Sequence, residues 1–290
     1  MKKITTALMG VALLSAVIYA GCKKEGTTSS NPADSDATAA QDEANASFMI
    51  NDSKTIADGG AKGQFNNNKA LGLCGNVSRR DTVIGGNTDT LVDIYFSGMC
   101  PDADGHVRNG HILVYWNGKG YFDPTATITQ TWKNYSVTTI STGNSIAVTG
   151  ANTISNTGKD TAGDHSWNCS SSVTLTYSTG GSATWNATRV NTLMQIGKIW
   201  YYEVTGSATG TSKSGVTYTQ AITSPLYWTP YLVNTADGNP VCGCIEAGTT
   251  QFTRTGKTYP LILNYTSGVG NCAYTATATI NGKNYNILVP

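Results

Sequence analysis

The side chains best suited to chemistry lie in one short segment, residues 100–111, with the sequence CPDADGHVRNGH. It contains four residues of metal-ligating type, namely Asp102, Asp104, His106 and His111. Carboxylate oxygens suit Ca²⁺, and imidazole nitrogens suit transition metals. The segment lacks the third acid and the bidentate glutamate of a calcium-binding loop, and Asp104-Gly105 is typical of a hairpin turn. We expect a turn here, with no metal and no other cofactor, and keep a metal site on these four residues as the alternative.

Two glutamates in the second half of the chain, Glu203 and Glu246, are the next candidates for chemistry. Glycosidases use a pair of carboxylates. Glu203 stands in the middle of a predicted strand, YYEVTG, where a carboxylate is expected to face solvent. The sequence contains no Gly-x-Ser-x-Gly, His-Glu-x-x-His or Gly-x-x-x-x-Gly-Lys-Ser/Thr motif. We expect no catalytic residue and a non-enzymatic protein, with an exported hydrolase such as a glycosidase as the alternative.

The chain has six tryptophans, whose flat faces could stack on sugar rings. Most indoles in β proteins pack in the core, where their large area is buried. Trp167 lies next to a predicted loop and Trp228 lies close to Pro230, so we expect these two to be the exposed ones. A glycan is therefore one predicted partner, and another envelope protein is the second.

Seven cysteines are present. Apart from Cys22 they are Cys74, Cys100, Cys169, Cys242, Cys244 and Cys272. An even number in an oxidising compartment favours disulfides, whose pairing the sequence does not choose. Cys74 with Cys100 is the shortest closure between separate elements. The alternative is a thiolate metal site, although the spacing lacks the Cys-x-x-Cys pair typical of zinc.

The first residues of the chain have the order of an export signal. Two lysines precede an apolar run over residues 7–20, and Ala20-Gly21 stand directly before Cys22. This order resembles a bacterial lipoprotein signal peptide, although Tyr19 occupies a position that is usually aliphatic. The alternatives are ordinary secretion with cleavage near Ala20 and an uncleaved membrane helix, for which the run is short against the ~20 residues of a span. We expect residues 1–21 to be removed and Cys22 to be lipidated.

Residues 22–45 are predicted to form a disordered tether, because they are rich in Ser, Thr, Ala, Asp and Asn and carry no large apolar side chain. Lys23 rather than aspartate follows the cysteine, which resembles outer-membrane sorting. The charged run Lys23-Lys24-Glu25 resembles a surface-export signal, and the periplasmic face is the alternative location. The membrane is then a partner through the lipid.

Composition and patterning favour an all-β domain over residues 46–290, in one unit or two sub-domains. Charged residues are 13% of the chain and the formal net charge is +1. The chain therefore lacks the positive electrostatic field that would attract nucleic acid, and we expect no nucleic-acid partner. Alternating segments rich in β-branched and aromatic residues are separated by turn signals, the clearest being Asn281-Gly282. We expect an antiparallel meander forming a sandwich or an open curled sheet. Only residues 42–58 are compatible with a helix, expected to be short and peripheral, and Val-Thr-Gly recurs at 148–150 and 204–206.

The order of these strand and turn segments also resembles a known family. CGNVSRRDT, DIYFSGMCPDADGHVRNGHILVYW, TWNATR, VTGSATG and GVGNCAYTATATINGKNYNI follow one another between residues 72 and 290. This pattern is similar to that of uncharacterised Bacteroidota lipoproteins, for which no activity is established. The resemblance implies a lipid-anchored β domain of the cell envelope and implies no functional residue.

Overall fold

The computed structural model describes residues 35–61, 74–84, 87–102, 105–117, 120–159, 163–196, 199–230, 243–266, 268 and 274–289. It contains one helix, α1 (Ser35–Ala61). The strands are β1 (Gly75–Ile84), β2 (Asn87–Pro101), β3 (His106–Asn117), β4 (Thr127–Thr139), β5 (Ser145–Lys159), β6 (His165–Tyr177), β7 (Ser182–Ile196), β8 (Ile199–Thr211), β9 (Thr217–Thr229), β10 (Cys244–Arg254), β11 (Leu261–Thr266), β12 (Thr275–Ile280) and β13 (Lys283–Leu288).

All the strands belong to one antiparallel sheet of 13 strands, in which each strand pairs with its neighbours in the sequence. β1 and β13 form the two edges, and the described strands show no pairing between them. The prediction of an all-β antiparallel meander is confirmed, and of its two forms the structure has the open curled sheet. Residues Asp34–Pro290 form one compact unit.

Local turn chemistry explains the tight connections. Asn281 and Gly282 both have positive φ, 47° and 75°, which is the conformation of a type I′ turn between β12 and β13. Gly180 and Gly181 between β6 and β7 also both have positive φ, at 96° and 86°. These hairpins are short because the two central residues tolerate the left-handed region.

The repeated Val-Thr-Gly segments share one backbone feature. Gly150 in β5 and Gly206 in β8 have φ of 118° and 120° in the middle of their strands. A Cβ atom on either would lie 2.2 Å from a carbonyl oxygen of the neighbouring strand, that of Ser172 or Thr188. Glycine kinks of this kind allow a strand to bend sharply, so they help the sheet to curl.

The helix lies inside the curl of the sheet. From residue 39 to residue 60 every position is buried except Gln41 and Asn51, which are half-buried. α1 contacts β2, β3, β7 and β10 to β13. A helix that is buried on all sides has strands on all sides, so the sheet curls around it. The expectation of a short, peripheral helix over 42–58 is wrong, because the helix has 27 residues and occupies the centre.

The boundary of the predicted tether also changes. Residues 35–45 belong to the interior helix, whereas residues 22–34 lie outside the described residues. Alanine is frequent in this segment, and its small side chain combines high helix propensity with close approach to the sheet. Gln41, Glu43 and Asn45 have partners on β13, β7 and β6 respectively.

The helix runs from one end of the sheet to the other. Near its start, Asp42 accepts a hydrogen bond from the backbone N–H of Lys213 in the β8–β9 turn, at 2.7 Å. Near its end, Asp58 meets Tyr121 in the β3–β4 connection and Tyr202 at the start of β8. We call the end that carries the β4–β5, β6–β7 and β8–β9 turns the helix-start end of the sheet.

Candidate functional site

Glu43 on α1 forms an ion pair in the centre of the fold. Nη2 of Arg189 on β7 lies 2.7 Å from Glu43 Oε1, and Nε1 of Trp185 donates to Oε2 at 2.6 Å. Ser47, one turn along the helix, donates to the same carboxylate at 3.3 Å. Burial raises the pKa of Glu43 above its ordinary value, while the charge of Arg189 opposes that shift. Solvent does not reach this carboxylate, so its contacts are structural.

A second interior cluster surrounds Asp58. Lys54 Nζ lies 2.7 Å from Asp58 Oδ2, which also accepts a hydrogen bond of 2.7 Å from the Tyr202 hydroxyl. The Tyr121 hydroxyl donates to Oδ1 at 2.6 Å. Lys54 Nζ also stands 4.7 Å above the ring of Trp167. Burial by itself lowers the pKa of Lys54, but Asp58 and Tyr202 outweigh it and hold that pKa above its ordinary value, so the lysine is charged.

A third cluster joins the helix to β3. Arg108 donates through Nη2 to Asp52 Oδ1 at 2.8 Å and through Nη1 to Asp102 Oδ2 at 2.6 Å. The other oxygen of Asp102 accepts the backbone N–H of Cys74 at 2.7 Å. The side chains of Asp52, Asp102 and Arg108 are all almost fully buried. This arrangement joins the helix to β3, to the end of β2 and to the residue that precedes β1.

The residues of the predicted metal alternative point to different partners. Asp102 is held by Arg108, the ring of His106 packs 5.2 Å from that of Phe48, and His111 Nδ1 lies 2.8 Å from Asp93 Oδ1. Asp104 lies outside the described residues. In the part of the chain that the structure describes, no group of three or more metal-ligating residues comes together. The described members of the segment therefore do not form a metal site.

The cysteines divide into three groups. Cys169 and Cys244 are buried free thiols, so the prediction that they are disulfide partners is wrong for this structure. Burial raises the pKa of each thiol to about 12. Cys74 is disulfide-bonded. Cys22, Cys242, Cys272 and the side chain of Cys100 lie outside the described residues, so the Cys74–Cys100 pairing stays a prediction.

The tryptophans predicted to stack on sugars are both in the core. Trp167 is 4% exposed and Trp228 is 1% exposed. Trp228 Nε1 donates to the hydroxyl of Thr55 on the helix at 3.2 Å, which explains why a residue close to Pro230 turns inward. All six tryptophans lie in the described part, and Trp200 is the one that is exposed. The two predicted stacking residues cannot contact a glycan.

The two glutamates of the hydrolase alternative occupy different environments. Glu203 on β8 is half-buried and accepts a hydrogen bond of 3.4 Å from the Tyr227 hydroxyl. Glu246 on β10 is 1% exposed. A catalytic pair needs both carboxylates to face one cleft that the substrate can enter, and burial removes Glu246 from solvent.

The accessible site is a pocket of about 570 Å³ at the helix-start end of the sheet. Its walls come from the first turns of α1, the β4–β5, β6–β7 and β8–β9 turns and the end of β13. Three large apolar side chains that line it are exposed: Ile140 by 50%, Tyr274 by 38% and Leu288 by 59%. Its volume lies within the range of small-molecule sites, ~300–1,000 Å³.

A few polar groups stand at fixed positions around this pocket. Asn45 donates to the hydroxyl of Tyr177 at 3.3 Å, and the ammonium of Lys213 lies 4.6 Å above the same ring. Gln41 accepts the backbone N–H of Leu288 at 3.1 Å and donates to its carbonyl oxygen. The carboxyl of Asp42 accepts the backbone N–H of Lys213, and burial raises the pKa of this carboxyl above its ordinary value. Apolar walls with sparse, oriented polar groups are typical of ligand pockets.

The sequence did not reveal the interior acids or this pocket. Lys54 and Asp58 stand four residues apart, a spacing that brings side chains together on a helix and could have indicated one. Glu43 offered no such signal, because its cationic partner is 146 residues away. The pocket residues come from separate turns, so only the folded chain brings them together.

Comparison with known proteins gave no relative: no family model, no curated protein and no solved structure matches the chain. Within the described residues, no helix is long and apolar enough to cross a membrane.

Proposed function

We propose that this protein is a non-enzymatic binding protein of the cell envelope, anchored in the outer membrane through a lipid on Cys22. Its ligand occupies the pocket at the helix-start end of the sheet. The observation that carries the proposal is the exposure of Ile140, Tyr274 and Leu288 around one cavity. Exposed apolar side chains are common singly, but a group of them in a concave site marks a place where a ligand covers them.

The interior chemistry supports binding rather than catalysis. Glu43, Asp52 and Asp58 are buried, and each is held by an arginine or a lysine. Removing one member of such a pair is costly, which suits a framework that holds its shape. The helix and sheet therefore act as a rigid support for the turns that form the pocket.

The lipid anchor is tested by mass spectrometry of protein extracted from membranes. We expect the mature chain to begin at Cys22 and to carry the added mass of its acyl chains. Cys22→Ala should abolish incorporation of labelled palmitate, whereas Cys169→Ala, at a buried thiol, should leave it unchanged. A mature chain that begins elsewhere and carries no acyl group would refute the anchor. Protease shaving of intact cells then distinguishes the surface face from the periplasmic face.

The pocket is tested with the fluorescent apolar anion 1-anilinonaphthalene-8-sulfonate. Ile140→Glu places a charge in the pocket wall and should strongly reduce the fluorescence gained by the bound dye. Val190→Glu is the matched control, because Val190 on β7 is also exposed, by 38%, and does not line the pocket. Equal dye binding by the two variants would refute the pocket as the binding site.

A further inference from the structure

We propose that the pocket binds a single-chain anionic amphiphile, a free long-chain fatty acid taken from the membrane in which the protein is anchored. This inference rests on the proposed lipid anchor at Cys22 and on the proposed binding function of the pocket. It adds the chemical class of the ligand and its source. Three features of the structure carry it: the place of the pocket along the chain, its apolar wall and its single permanent charge.

The pocket lies at the end of the domain that is nearest to the anchor along the chain. Gln41 and Asn45, which line it, stand in the first turns of α1. About 12 residues separate Cys22 from the start of that helix at Ser35, and this length spans at most ~40 Å. Asp58, near the other end of the helix, lies about 25 Å from Gln41 along the helix axis, at 1.5 Å per residue. The chain therefore enters the described domain at the end of the helix that carries the pocket.

The apolar wall is the second feature. Leu288, Ile140 and Tyr274 are each more than a third exposed, and all three line the same cavity. Their exposure to water is unfavourable, and an alkyl chain would remove this surface from water without needing a hydrogen-bonding partner. A sugar would bury hydroxyl groups against Leu288 and Ile140, whose side chains offer no hydrogen-bonding partner, so these two residues favour a hydrocarbon chain.

Charge is the third feature. Among the described residues that line the pocket, Lys213 alone carries a permanent charge. Its side chain is exposed, and its ammonium stands over the ring of Tyr177 at the pocket. Ser141 and Thr142, in the β4–β5 turn, also line the pocket. A carboxylate can accept hydrogen bonds from an ammonium and from hydroxyl groups, and it matches the positive charge. A neutral glyceride would gain nothing from that charge.

The test uses the full-length lipidated protein in phosphatidylcholine vesicles, with palmitic acid that carries a photoactivatable diazirine in its chain. After irradiation, digestion and mass spectrometry should locate the adduct on peptides containing Ile140 or Leu288. Lys213→Gln should reduce the adduct about twofold to fivefold, the range for an exposed ion pair. Lys159→Gln is the matched control, because Lys159 is exposed at the opposite end of β5. It should leave the yield unchanged.

Three results would overturn the proposal and leave the binding function standing. The diazirine-bearing fatty alcohol could label the pocket as strongly as the acid, with no effect of Lys213→Gln, which would show that the ligand is not chosen for its charge. Labelling could occur in the Cys22→Ser chain but not in the lipidated one, which would show that the protein's own acyl chain fills the pocket. Soluble glycans could displace the dye while neither lipid probe labels, which would make the ligand a sugar.

A fourth result would reach further. If neither lipid probe gives an adduct and the dye binds Ile140→Glu and Val190→Glu equally, the pocket binds nothing, and the proposed function fails together with this inference. An adduct at the pocket that depends on Lys213, requires the carboxylate and forms in the lipidated chain supports the fatty acid as the ligand.

Discussion

Removing the charge of Glu43 should destabilise the protein strongly. Glu43→Gln keeps the volume of the side chain and leaves an oxygen for the Trp185 N–H. It removes the anion that faces Arg189. Arg189 Nη2 would then still donate a hydrogen bond of 2.9 Å to Gln220 Oε1, which is neutral. Arg189 is 5% exposed, so its charge would stay in the interior without compensation. Breaking a buried pair in this way costs about 3–5 kcal/mol.

That loss is large against the usual total stability of ~5–15 kcal/mol. For a domain of this size, each kcal/mol lowers Tm by about 2–4 °C. We expect Glu43→Gln to lower Tm by about 6–20 °C and to shift the urea midpoint to match, measured by circular dichroism and by tryptophan fluorescence. Glu203→Gln is the control, because Glu203 is half-buried and makes a single long hydrogen bond of 3.4 Å. It should stay within about 0.5 kcal/mol of the parent protein.

The double variant Glu43→Gln with Arg189→Met distinguishes the loss of the ion pair from other effects of the two substitutions. With both charges gone, the interior holds no uncompensated cation, so the double variant should recover most of the loss caused by Glu43→Gln. A coupling free energy of about 2 kcal/mol or more is expected from the cycle. The reasoning is refuted if Glu43→Gln costs less than about 1 kcal/mol, or if the two substitutions simply add. Either result would mean that the helix does not pair with β7 in the interior.

Three further outcomes follow from the structure. Cys169 and Cys244 should resist maleimide at pH 8 in the native protein and react fully in urea, because burial raises the pKa of both thiols to about 12; rapid native labelling would contradict their burial. The folded state keeps these thiol protons up to a higher pH than the unfolded state does. The contribution of the two thiols to the free energy of unfolding is therefore complete below about pH 9 and is lost as pH rises towards about 12. The urea midpoint should therefore fall between pH 8 and pH 11, and an unchanged midpoint would exclude this linkage. Gly150→Ala and Gly206→Ala should each cost about 2 kcal/mol or more, because a Cβ meets a carbonyl at 2.2 Å, whereas Gly143→Ala, with open space around it, should cost about 1 kcal/mol; equal urea midpoints for the three variants would argue against kinks in β5 and β8.

Some of this fold is encoded locally, and that part could be predicted. The Asn281-Gly282 turn needs only two residues that tolerate positive φ between two alternating segments, and the hairpin has that conformation. The meander follows because short turns connect strands that are neighbours in the sequence. The recurring Val-Thr-Gly segments were also visible, but the clash that requires Gly150 and Gly206 depends on the neighbouring strand.

The helix could not be placed from the sequence, for a physical reason. Composition rules treat a polar segment as one that stays in water. In α1 the polar side chains are instead paired inside the fold, with Arg108 for Asp52 and Arg189 for Glu43. These cations belong to strands that lie far along the chain. The same cause explains Trp228, whose indole N–H has its partner on the helix.

The position of α1 also sets the order in which the molecule can be completed. Gln41 binds the backbone of Leu288, 247 residues further along the chain. Contacts over such distances close slowly, because a long loop must be ordered before they form. The early hairpins can form one after another, whereas the helix is enclosed only when β13 pairs, so the charged side chains of α1 stay in contact with water until late in folding.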